Sequence, residues 1–144
     1  TTPSSSLVYL GDNNEVNASG RTYVAYCFAD TEGYIKSGSY VGNGDANGSF
    51  VYTGFKPSFV LYKNLASGES CVLIDNKRNS FNVAGKALFT EAASAESNSA
   101  ATYGVDLLSN GFKARATNAV VNGSGATYIY LAMAENPFKY ATAR

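Results

Sequence analysis

This 144-residue chain brings eleven carboxylates, two cysteines and no histidine to any chemistry it could perform. Without histidine, the Ser-His-Asp and Cys-His arrangements have no general base, and the zinc-hydrolase motifs have no ligands. Cys27 lies in Val24-Ala-Tyr-Cys-Phe28 and Cys71 in Ser70-Cys-Val-Leu-Ile74. Both contexts are apolar and strand-like, which suits buried free thiols acting as small hydrophobes. A single disulfide is the alternative, because both residues would lie on central strands. With no CxxC pair, a zinc site is not expected. Asp30 with Glu32, Asp75 and Glu135 all follow strand-like runs, and a two-carboxylate glycosidase needs only two acids. Acids at strand ends are, however, what any sandwich shows where strands meet water. The residues therefore argue against an enzyme, and no metal or cofactor is expected.

Binding is the better prospect. Gly42-Asn-Gly-Asp-Ala-Asn-Gly48 offers hard oxygen donors suited to calcium. It lacks the acidic spacing and closing glutamate of an EF-hand, so a glycine-rich turn is the preferred reading. Asn17-Ala-Ser19, Asn47-Gly-Ser49 and Asn122-Gly-Ser124 fit the glycosylation sequon but read as turns in so Asn/Ser-rich a chain. The chain carries eleven tyrosines and eight phenylalanines but no tryptophan. Tyr34, Tyr40, Tyr52, Tyr62, Tyr103 and Tyr140 lie near turns or on alternating positions, where a tyrosine supplies flat, amphipathic area for a protein or sugar. Tyr34, Tyr40 and Tyr103, with Asn43, Asp45 and Asn47 of the glycine loop, form the candidate binding surface.

The elements that must position these residues read as strands almost throughout. Leu7–Leu10 is a short apolar run. Thr22–Ala29 (TYVAYCFA) reads as a central strand buried on both faces. Ile35–Val41, Ser49–Thr53, Ser58–Lys63, Ser70–Asp75, Ala84–Phe89, Tyr103–Leu108, Phe112–Ala116 and Thr127–Ala134 follow, separated by turn signals every ~8–12 residues. Ser109-Asn-Gly111 marks a hairpin, and the Ala/Ser-rich stretch 90–102 reads as an exposed loop. No long amphipathic helix is expected. The prediction is an all-β chain: an antiparallel β-sandwich of jelly-roll type, with about eight to nine strands. Residues 1–6 would be a Thr/Pro/Ser linker and 7–144 a single domain. The Thr1-Thr-Pro3 start, without methionine, suggests a piece of a longer protein.

One internal similarity stands apart. Val16-Asn-Ala-Ser-Gly-Arg-Thr-Tyr-Val24 is echoed by Val121-Asn-Gly-Ser-Gly-Ala-Thr-Tyr-Ile129. Each copy is a polar turn feeding an apolar strand that ends on alanine and an acid. The expectation is two equivalent strands, neighbours in one sheet.

Charged residues make up 15% of the chain against a usual ~25%, and the eleven basic and eleven acidic side chains cancel. No basic field exists to neutralise phosphates, and no polybasic stretch faces a membrane. Nucleic acid and membrane are therefore not expected as partners.

From Thr22 onward the chain resembles a family of domains of unknown function found at the C-termini of predicted marine and environmental phage tail proteins. The matching stretches are Tyr23-Val-Ala-Tyr-Cys-Phe-Ala29, Glu32-Gly-Tyr34, Gly38-Ser-Tyr40, Gly42-Asn-Gly44 and Phe50-Val-Tyr-Thr-Gly-Phe55 before Pro57. They continue with Asp75, Arg78 and Asn82, then Leu108-Ser-Asn-Gly-Phe-Lys113 and Ala134-Glu-Asn-Pro-Phe-Lys-Tyr140. Cys71 departs from the pattern, where an aromatic is commoner. The resemblance implies a setting, the extracellular virion, and a C-terminus at Ala141-Thr-Ala-Arg144; it implies no catalytic residues. By analogy it points to a tail-fibre or spike tip, a homotrimer that binds host-surface glycans or proteins and contacts other virion proteins. A capsid-decoration or fibre-assembly module is the second reading, and a polysaccharide depolymerase fragment the third.

Overall fold

The computed structural model describes residues 4–66 and 68–138, and among them nine strands. They are β1 (Ile35–Val41), β2 (Phe50–Tyr52), β3 (Pro57–Asn64), β4 (Val72–Asp75), β5 (Lys86–Phe89), β6 (Ser97–Asn98), β7 (Val105–Leu108), β8 (Gly111–Ala114) and β9 (Thr127–Ala134). Two single helical turns, α1 (Asn14–Asn17) and α2 (Ala100–Tyr103), complete the elements. Every pairing is antiparallel. One sheet runs β1-β9-β3-β4-β5-β6 and the other β2-β8-β7. The chain is thus an all-β sandwich of two antiparallel sheets.

Alternation fixes which residues meet between the sheets, since successive side chains on a strand point to opposite faces. Along β9, Tyr128, Tyr130, Ala132 and Ala134 are buried while Thr127 and Ile129 face out. Val60 and Tyr62 of β3 and Val72 and Ile74 of β4 continue the same inner face. Val51, Val105, Leu107, Phe112 and Ala114 answer from the smaller sheet. Around the Tyr40 ring, Tyr128 stacks at 4.7 Å and Phe112 packs edge-on at 5.8 Å. A Cβ at Gly38 would sit 3.0 Å from the Tyr130 ring, so glycine there makes room for it.

The strands expected from 35 onward form with small shifts of boundary, and β1 and β9 form over the residues expected. Leu108 pairs with Gly111, closing the Ser109-Asn110 hairpin. The stretch 90–102 is not wholly loop, for it carries β6 and the start of α2.

The N-terminal expectations need correction. Leu7–Leu10 and Thr22–Ala29 form no strand, and neither joins a sheet; Tyr26 is 82% exposed and Val24 76%. Cys27 is exposed and Cys71 only partly buried, both as free thiols and neither on a strand. The two echoing segments are therefore not neighbours in one sheet: the second is β9, and the first stands outside both sheets. The physical reason is simple. An apolar, β-branched run makes a strand only where another strand supplies its hydrogen bonds, and β1 is paired to β9, not to this stretch.

Instead the chain turns sharply between the two. Thr31 and Ile35 exchange backbone hydrogen bonds of 2.9 and 3.0 Å, with Gly33 at φ 69° inside the turn. The Asp30 carboxylate accepts the Ser37 N–H at 2.7 Å and the Ser37 hydroxyl at 2.8 Å, and pairs with Lys36. It thereby occupies the outer edge of β1.

Candidate functional site

A polar cleft of about 470 Å³ opens at the end of the large sheet where β3 begins and β4 and β9 end. Its floor is the segment between β4 and β5, and side chains pin that segment in place. Asp75 accepts the Lys77 and Arg78 N–H groups, both at 2.8 Å, which makes a tight turn directly after β4. Arg78 returns an ion pair to Asp75 and a second one to Glu96 at 3.1 Å. The Asn79 amide oxygen accepts the Gly85 and Lys86 N–H groups. Asn82 pairs with the backbone of Leu107 through both ends of its amide, as a strand residue would. So anchored, the segment raises Phe81 to the rim, 87% exposed.

Across the cleft, Glu135 pairs with Lys56 at 2.7 Å and accepts the Asn76 amide N–H at 2.8 Å. The other end of that amide, Asn76 Oδ1, is buried and accepts no hydrogen bond from the described residues. Fixed amides, lysines at the wall and a bare aromatic ring together suit a ligand with many hydroxyls and an apolar face.

The glycine loop lies at the other end of the same sheet, where β1 ends and β9 begins. Its polar side chains are turned inward on the loop itself. Asn43 accepts the Asp45 N–H, Asp45 accepts the Asn47 N–H, and the Asn43 amide donates to Asn47 O at 3.2 Å. Buried Asn122 holds the loop from below, donating to Asn43 Oδ1 and Asp45 O and accepting the Asn43 N–H. Among the described residues, no three Cys, Asp or Glu side chains are grouped to hold a metal ion.

The candidate surface is thus not one surface. Asn43, Asp45 and Asn47 stay together at the loop. Tyr34 stands at the opposite end of β1, exposed, with its ring 5.4 Å from Phe138. Tyr40 is corrected to a core residue, its hydroxyl donating to Val121 O at 2.8 Å. Tyr103 is partly buried against the core, edge-on to Phe89 at 5.5 Å. Tyr62 is buried as well, whereas Tyr52 is exposed; Tyr140 and residues 141–144 lie outside the described residues. The cleft itself escaped sequence reasoning, although Asn76, Asn79 and Asn82 at intervals of three around Phe81 were a usable signal.

The sequence pattern of the family described as domain of unknown function DUF7483 matches residues 1–137. The chain belongs to this family. No curated protein and no solved structure matches the chain.

In this DUF7483 domain, three of the four acids considered for catalysis, Asp30, Asp75 and Glu135, are each engaged by a cation. A hydrogen bond from Lys36, aided by the Ser37 N–H and hydroxyl, holds the Asp30 carboxyl at about 2. Burial pushes Asp75 up, but the hydrogen bonds from Arg78 and Lys77 outweigh it and leave the group below its ordinary value. The Lys56 hydrogen bond likewise lowers Glu135.

Proposed function

We propose that the chain is a non-enzymatic glycan-binding module, carried as the tip domain of a phage tail fibre or spike and working as a homotrimer at the host surface. The observation that carries this reading is the cleft beneath Phe81. A sugar ring has one face of C–H groups that can lie on an exposed aromatic, and hydroxyls at its edge that can bond to the polar side chains lining the cleft. Lys56 and Lys77 suit sugars bearing carboxylate or phosphate. The lowered carboxyls of Asp30, Asp75 and Glu135 favour binding over hydrolysis, because a glycosidase needs one acid whose pKa is raised.

The test is titration of the chain with host capsular and lipopolysaccharide oligosaccharides. Binding that falls at least about tenfold in Phe81→Ala, a loss of roughly 1.4 kcal/mol, supports the reading. No binding, or equal binding by the variant, overturns it. Gold-labelled antibody on phage particles tests the setting: label at the distal tail supports it, and label over the head favours a decoration role instead.

A further inference from the structure

The echo between the two segments extends from sequence into hydrogen bonds. With an offset of 105 positions (Asn13 to Asn118), each backbone contact of the first turn recurs in the second. Asn13 Oδ1 accepts the Glu15 N–H at 2.8 Å, and Asn118 Oδ1 accepts the Val120 N–H at 3.0 Å. Asn13 O accepts Val16 and Asn17 N–H at 3.0 and 2.9 Å; Asn118 O accepts Val121 and Asn122 N–H at 3.1 and 2.8 Å. Tyr23 donates to Asn14 O at 2.7 Å and accepts the Ala18 N–H at 2.9 Å. Tyr128 donates to Ala119 O at 2.6 Å and accepts the Gly123 N–H at 2.7 Å. Gly20 and Gly125 sit at φ 75° and 73°.

The second copy shows what this device is for. Its tyrosine is buried under Tyr40, its asparagine grips the glycine loop, and its strand lies between β1 and β3. The first copy has the same turn, but among the described residues no strand pairs with the stretch that follows it. Tyr23, Val24, Tyr26 and Phe28 are all exposed, and Asn17 donates to Gly11 O in place of a loop. Cys27 stands where β9 has fully buried Ala132, which accounts for a small apolar side chain on an exposed stretch.

We infer that residues 11–30 are the closing turn and last strand of a second unit of this fold, supplied by the same polypeptide upstream, in which 22–29 lies between a β1-like and a β3-like strand. Exchange with another copy of the present chain is disfavoured. Its slot is already filled by its own β9, covalently joined and buried at Tyr128 and Ala132.

Thiol labelling tests the assignment, with Cys27 as reporter and Cys71 as the internal reference. In the 144-residue chain, Cys27 should react as a free thiol. In the complete polypeptide its labelling should slow by about 100-fold or more, as for a core strand position. Asn17→Ala in that polypeptide should restore much of the reactivity without changing the rate at Cys71. Equal labelling of Cys27 in both chains overturns the inference, as does a polypeptide without an upstream unit. Protection that vanishes on dilution also overturns it, since the strand would then be held by a separate molecule.

Discussion

The rings of Tyr40 and Tyr128 stack with centroids 4.7 Å apart and planes 11° from parallel, each hydroxyl spent on the loop that precedes β9. Aromatic packing and loop closure are therefore one structure. Tyr128→Phe keeps the stack but leaves the Gly123 N–H without its acceptor and Ala119 O with one donor fewer. Urea denaturation should show a loss of about 1–3 kcal/mol. A change within about 0.5 kcal/mol, as at an ordinary surface site, would contradict this account.

Asn122 is fully buried and makes three hydrogen bonds to the glycine loop. Asn122→Ala should destabilise the chain by about 2–4 kcal/mol, since it strands two loop groups and leaves a void. Amide exchange in residues 42–48 should rise more than at Val60 or Ile74.

Two glycines should behave oppositely when replaced by alanine. At Gly48 a Cβ would lie 2.5 Å from Ala114 O and 2.8 Å from the Asn122 amide, so Gly48→Ala should cost on the order of 1–3 kcal/mol or prevent folding. At Gly68 no described residue lies within 4 Å of the added Cβ, and Gly68→Ala should leave the melting temperature within a few degrees of wild type.

Asp30 titrates at about 2 in the folded chain against an ordinary 3.8. A depressed carboxyl stabilises the fold above its unfolded pKa, and that contribution fades as pH falls from near 3.8 through about 2. Carboxyl NMR should place the midpoint near 2, and Lys36→Met should move it upward because the largest lowering interaction is gone. A midpoint that does not move would remove Lys36 as the cause.

The legible part of the fold was whatever local pattern decides. β1 and β9 were readable to the residue because each runs between clear turn signals. Thr22–Ala29 carries a nearly identical pattern, so local reading could not separate a paired strand from one whose partners lie elsewhere. Tyr40 looked exposed because serine, glycine and lysine surround it, and only the partner rings of Tyr128 and Phe112 reveal its burial. The cleft was hidden for a related reason. Asn76, Asn79 and Asn82 look like ordinary turn formers until β7 and Glu135 are brought against them.

The turn closed by Thr31 and Ile35 spaces the first copy's strand from β1 by five residues, and two of them are hydrogen-bonded to each other. With an upstream unit in place, that turn is the entire joint between neighbours. Five residues span at most about 18 Å when fully extended, too few for a slack tether. Successive units would be held at a set angle and twist, so a pull or torque at one end reaches the next through the backbone of Asp30–Tyr34. A row of units jointed in this way would behave as a stiff shaft, not as beads on a string.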